Sequence, residues 1–152
     1  MKDFKLLLVD DEEEFVQALA ERLKMRDLES DTVYDGDQAI HYVEDKEPDV
    51  MVLDLKMPGI DGIEVLKNVR KTYPNIQVII LTGHGTEKDE ERARELGAFD
   101  YLEKPVDVDK LVDRIKKAYR NKLDNLSVAA TFAEAGDFDT ARKIYKDEDE
   151  KK

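Results

Sequence analysis

Four short apolar runs interrupt an otherwise polar chain: Leu6-Leu7-Leu8-Val9, Val50-Met51-Val52-Leu53, Val78-Ile79-Ile80-Leu81 and the weaker Phe99-Tyr101-Leu102. The first three are continuous rather than alternating, as expected of strands buried on both faces in a parallel sheet. A further amphipathic strand is predicted near Thr32-Val33-Tyr34. The intervening segments have helical spacing. Phe15, Leu19 and Leu23 recur every four residues, with Val16 and Ala20 beside them. Ala39, Ile40 and Val43 repeat this over a shorter length, and Leu66, Val69 and Tyr73 follow Gly62. Ala93, Leu96 and Ala98 mark a very polar helix; Leu111, Ile115 and Tyr119 mark a last one, with Asp107 as its N-cap. Gly97 closes one helix and Pro74 follows another. The order is β-α five times over, which implies βαβ units and a parallel α/β sheet covered on both sides. In such sheets the functional crevice lies beyond the carboxyl ends of the strands.

The five units end near Arg120, giving an expected domain over residues 1–120 and a C-terminal extension over residues 121–152. Asn121 to Asn125 reads as a linker or as a continuation of the last helix. Ala129, Phe132, Gly136-Asp137-Phe138, Ala141 and Tyr145 have the spacing of one tetratricopeptide-like helix-turn-helix, turning at Gly136. A single hairpin cannot bury its apolar face alone, so it would need the first domain, a second copy or a partner. A plain appendage prolonging the fifth helix accounts for the pattern equally well. The segment closes on Asp147-Glu148-Asp149-Glu150-Lys151-Lys152.

Charge narrows the function. The 152 residues include 37 acidic and 25 basic side chains, a net charge of -12. Duplex nucleic acid and anionic membrane surfaces, both read by basic side chains, are disfavoured as partners. The chain has no cysteine, which removes disulfides, thiolate metal sites and a cysteine nucleophile. The Asp10 to Glu14 run follows the first strand at once, and no apolar stretch is long enough to span a bilayer. A soluble cytoplasmic protein is the expectation.

Chemistry gathers at the strand ends. Asp10 and Asp11 follow the first strand. Asp54 ends the third, before Leu55-Lys56-Met57-Pro58-Gly59. Thr82-Gly83 follows the fourth and Lys104-Pro105 the fifth. Taken singly, each group has an ordinary role as a cap, a turn former or a solvated charge. Together they are complementary. Three carboxylates repel and need a cation, and all-oxygen ligation with few protein ligands suits Mg²⁺. Lys104 and Thr82 add an ammonium and a hydroxyl donor for a tetrahedral dianion. An Asp there can serve as nucleophile and form an aspartyl phosphate.

These segments resemble the receiver domain of two-component response regulators. The resemblance is carried by Leu8-Val9-Asp10-Asp11-Glu12, by Asp49 through Gly62, by Ile80-Leu81-Thr82-Gly83 and by Gly97 through Pro105, and it covers residues 4–120. It implies a doubly wound, flavodoxin-like, five-stranded parallel sheet in the order 2-1-3-4-5. Asp54 would be the phosphoacceptor, with Asp10, Asp11, Asp54 and the Lys56 backbone carbonyl holding Mg²⁺. Thr82 would be the switch hydroxyl, Tyr101 the aromatic that turns inward on activation, and Lys104 the ammonium at the phosphoryl group. Pro105 would follow a cis peptide bond. A bulky side chain at Gly83 would block the phosphoryl group. Lys56 and His84 would border the route of hydrolytic water, His84 being as readily an exposed loop residue. His41 reads as a partly exposed helix residue and Glu12-Glu13-Glu14 as a solvated first helical turn.

The implied function is a phosphorylation-dependent switch, not an enzyme in the ordinary sense. It would receive its phosphoryl group from a histidine kinase or phosphotransfer protein and change its contact with a downstream protein. The extension could add contact with a second copy. Three alternatives have weight. A haloacid-dehalogenase-type phosphatase also uses Asp and Mg²⁺, but needs a second acid where Lys56 stands. A scaffold working through the hairpin leaves the acidic set unexplained. Thr82-Gly83-His84-Gly85 resembles the receivers of enhancer-binding activators, which would make the chain part of a longer regulator.

Overall fold

The computed structural model of the protein describes residues 3–134, with side chains through residue 127. Five strands and five helices alternate: β1 (Leu6–Val9), α1 (Glu13–Lys24), β2 (Ser30–Val33), α2 (Gly36–Asp45), β3 (Val50–Leu53), α3 (Gly62–Thr72), β4 (Gln77–Thr82), α4 (Glu87–Glu95), β5 (Asp100–Glu103) and α5 (Val108–Glu134). All strand pairs are parallel and the order is β2-β1-β3-β4-β5. β2 starts two residues earlier than its apolar residues suggested. As an edge strand it is only half covered and needs no continuous apolar run.

The continuous runs feed two cores, because successive side chains point to opposite faces of a sheet. Leu6, Leu8, Val50, Val52, Ile79 and Leu81 pack with Val16, Leu19 and Leu23 of α1 and Leu111 and Ile115 of α5. Leu7, Val9, Met51, Leu53, Val78 and Ile80 face the other way, onto Ala39 and Val43 of α2, Val65, Leu66 and Val69 of α3, and Ala93 of α4.

Side-chain caps fix where several helices begin. Asp35 accepts from Gln38 N, and Asp61 accepts from Ile63 N and Glu64 N. Thr86 and Asp89 form a reciprocal capping box at α4. Asp107 accepts from Asp109 N at 3.1 Å, as its expected role requires.

α5 passes through Arg120 without a break, so Asn121–Asn125 continues the helix and the expected boundary at 120 falls inside it. Asn121 Nδ2 donates to Gln77 Oε1 at 3.0 Å, and Lys122 pairs with Asp49. The turn at Gly136 and the second half of the expected hairpin lie outside the described residues. Among the described residues no helix is long and apolar enough to cross a membrane.

Candidate functional site

Asp10, Asp54 and Lys104 are the first residues past β1, β3 and β5, still held by backbone hydrogen bonds that prolong the ladders, and Thr82 is the last residue of β4. Val9 pairs with Leu53, so β1 and β3 end level with one another; Leu53 pairs with Ile80, and β4 runs two residues further to Thr82. Asp10 N donates to Val33 O at 3.2 Å, Asp54 N to Val9 O at 3.0 Å and Lys104 N to Thr82 O at 3.0 Å. Short loops on a rigid sheet edge therefore bring residues far apart in sequence together. The Lys104-Pro105 peptide bond is cis.

Asp10 and Asp54 are each 4% exposed, against the rule that carboxylates stay in water unless partnered. Carboxylate oxygens of Asp10, Glu12 and Asp54 all lie within 4.8 Å of one another. Lys104 Nζ is 2.7 Å from Asp10 Oδ2, 2.7 Å from Glu12 Oε1 and 3.6 Å from Asp54 Oδ2. Its ammonium also lies 4.3 Å from the centre of the Phe15 ring. Burial pushes the Asp10 carboxyl above the usual aspartate range. The Lys104 and Glu12 N–H hydrogen bonds oppose that rise, and the Asp54 charge adds to it. Burial pulls the Lys104 ammonium down, but its bonds to Asp10 and Glu12 outweigh that and leave it raised. The Lys104 hydrogen bond lowers exposed Glu12.

Three carboxylates against one ammonium leave two negative charges in excess on oxygen donors at one point. That donor set fits a small divalent cation such as Mg²⁺.

Glu12 is the member that sequence reading missed. In a run of three glutamates it looked like a solvated helical turn, yet it precedes α1 and its carboxylate turns back onto Lys104. Asp11, expected beside Asp10, is half-buried and is not part of the three-carboxylate group.

Thr82 is fully buried, and among the described residues its hydroxyl has no hydrogen-bond partner; the buried Tyr101 hydroxyl has none there either. Tyr101 is thus already turned inward here. Gly85 makes the room: a Cβ there would run into the Tyr101 hydroxyl and lie 2.8 Å from Thr82 Cγ2. Gly62 lets α3 begin against the backbone of the loop after β3, since a Cβ there would overlap the Asp54 carbonyl oxygen. Gly83 and His84 are exposed beside the site. His41 is exposed on α2, its Nδ1 2.9 Å from Asp37 O. Lys56 N donates to Asp54 Oδ1 at 3.2 Å, while its side chain reaches Asp89 on α4 at 3.3 Å.

Residues 6–116 match the family model described as the response regulator receiver domain. A Francisella response regulator receiver domain is 30% identical, with a TM-score of 0.73 over 78% of this chain and 98% of that one. The receiver domain of NtrX from Brucella abortus is 31% identical, with a TM-score of 0.71 over 76% of this chain and 98% of that one. A longer NtrX chain from the same organism, in complex with ADP, is 28% identical with a TM-score of 0.79. That match spans 88% of this chain but only 30% of that one.

Proposed function

The chain belongs to the response regulator receiver domain family, whose members are phosphorylation switches of two-component signalling, and from that premise we propose that Asp54 is its phosphoacceptor. The observation that carries this reading is the buried Asp54 carboxylate, set among two further carboxylates, the Lys104 ammonium and the unpartnered Thr82 hydroxyl. One Asp54 oxygen forms the bond to phosphorus as the donor's bond to it breaks. Lys104 is near enough to shift from its carboxylate partners to a phosphoryl oxygen. Thr82 brings a hydroxyl whose hydrogen-bonding capacity is unspent, so an acceptor within reach gains a bond at no loss to another.

Mg²⁺ would be held by Asp10 and Asp54, by Asp11 and the Lys56 carbonyl as the family pattern implies, and by Glu12 as geometry allows. When bound it supplies positive charge to the transferring phosphoryl oxygens. Movement of Thr82 toward the phosphoryl group would vacate the space beside Gly85 and Tyr101, shifting a pre-existing equilibrium of the β4–α4–β5 surface. A histidine kinase or phosphotransfer protein supplies the phosphoryl group, in the cytoplasm, and a protein partner reads the result.

Acetyl phosphate is expected to label the full chain only with Mg²⁺ present. Equal labelling in a chelator would overturn the metal assignment.

A second reading concerns the extension. The match to the longer NtrX chain covers more of this chain than the match to its receiver alone, and α5 continues to Glu134. This favours residues 121–134 as a helical arm that carries the receiver's output away from the sheet, over a separate hairpin unit.

A further inference from the structure

α4 is thinly attached to the rest of the fold. Of its nine residues only Ala93 is buried, so apolar packing contributes little to holding it. Its first turn is held by polar contacts instead. Asp89, the third residue of the helix, accepts from Thr86 N at 2.9 Å and donates its own N–H to Thr86 Oγ1 at 3.1 Å. The same Asp89 oxygen lies 3.3 Å from Lys56 Nζ. Lys56 stands two residues past Asp54, and its backbone N–H already bonds the Asp54 carboxylate. One residue therefore touches the phosphoacceptor with its backbone and α4 with its ammonium.

We infer that Lys56 is shared between two anions: Asp89 holds its ammonium in the unphosphorylated chain, and a phosphoryl group on Asp54 takes it over and loosens the first turn of α4. This rests on the reading of Asp54 as phosphoacceptor. Its grounds are charge and reach. The Lys56 side chain is half-exposed on a flexible four-carbon stem, so it can swing without disturbing the core. A phosphoryl group carries close to two negative charges, and Asp89 carries one, already engaged by Thr86 N. Lys104, the ammonium already at the site, must leave two carboxylates at 2.7 Å to reach a phosphoryl oxygen, whereas Lys56 leaves only Asp89 at 3.3 Å. Asp89 thereby acts as a positioning residue: it keeps the Lys56 ammonium off the phosphoryl site. Coupling of this kind is reciprocal, so whatever phosphorylation takes from the Lys56–Asp89 pair, Asp89 takes from phosphoryl affinity.

The test uses beryllofluoride with Mg²⁺, a stable tetrahedral anion in place of the phosphoryl group, titrated calorimetrically into the full chain and into Asp89→Asn, Lys56→Met and the double variant. Asparagine keeps an oxygen for Thr86 N and removes the charge. Exposed ion pairs of this type predict that Asp89→Asn tightens binding about two- to fivefold. The same substitution has no effect in the Lys56→Met background, because the competing ammonium is gone. An equal change in both backgrounds means that Asp89 acts through the helix cap or the general field, and overturns the inference. No change in either background overturns it as well. Failure of the parent chain to bind the anion overturns the Asp54 reading itself, and this inference with it.

Discussion

Lys104 faces more negative charge than it can neutralise, and that imbalance sets the behaviour of single residues around it. Its side chain is 11% exposed, and that of Asp10 beside it is 6% exposed. Removing one partner of such a pair leaves an uncompensated charge out of water. Lys104→Ala is therefore expected to destabilise the metal-free protein by about 3 kcal/mol in urea unfolding. It should also impair labelling of Asp54 while leaving Mg²⁺ affinity largely intact. Asp10 behaves oppositely. Its folded carboxyl lies above the ordinary value of 3.8, so the native state holds a proton more tightly than the unfolded chain. Stability without metal then falls as pH rises from about that value through the raised one. Asp10→Asn removes this loss: its melting temperature at neutral pH should exceed the parent's, with Mg²⁺ affinity reduced. A thermal melt showing the variant less stable would refute the charge-repulsion account. Asp10, Asp54, Thr82 and Lys104 were legible as complementary groups at strand ends. Glu12 was not, because its partner is 92 positions away and nothing in a glutamate run marks which member reaches Lys104.

Among the elements, the sheet was the most legible part. Runs such as Val78 to Leu81 serve both cores and so stay apolar throughout. α4 shows the limit of pattern reading: with one buried residue it has almost no apolar stripe, and its bounds come from the Thr86–Asp89 box and from Gly97 at φ 93°. The β4–α4 loop also hides the relation between Gly85 and Tyr101, since a glycine in a loop looks the same whether or not a side chain rests on it. Gly85→Ala should force the Tyr101 ring away from Thr82. Nitration by tetranitromethane, mapped by peptide mass spectrometry, should then rise at Tyr101 relative to the parent. Unchanged nitration would mean that the loop moves in place of the ring.

For the whole molecule, the last helix ties the receiver to the segment that follows it. The hydrophobic pattern suggested a boundary near Arg120, because the βα units stop there. Helix spacing alone left a linker and a continued helix as equals. The contacts that separate them, Asn121 with Gln77 and Lys122 with Asp49, join α5 to the far edge of the sheet from the site. Truncation after Ser127 should keep these contacts, and truncation after Arg120 should lose them. The shorter chain is expected to be less stable by roughly 1–3 kcal/mol, the cost of unmade partly buried polar contacts. Both should still accept a phosphoryl group with Mg²⁺. Loss of labelling in a folded shorter chain would make the arm part of the phosphorylated domain.

If Asp54 carries the phosphoryl group, the group can be located on it. The full chain and Asp54→Asn, each treated with acetyl phosphate and Mg²⁺, would be compared by intact mass and then by peptide mapping. The expected result is one added phosphoryl group in the parent, on the peptide containing Asp54, and none in the variant. Full labelling of Asp54→Asn, or a phosphoryl group mapped to another residue of the parent, would contradict the account.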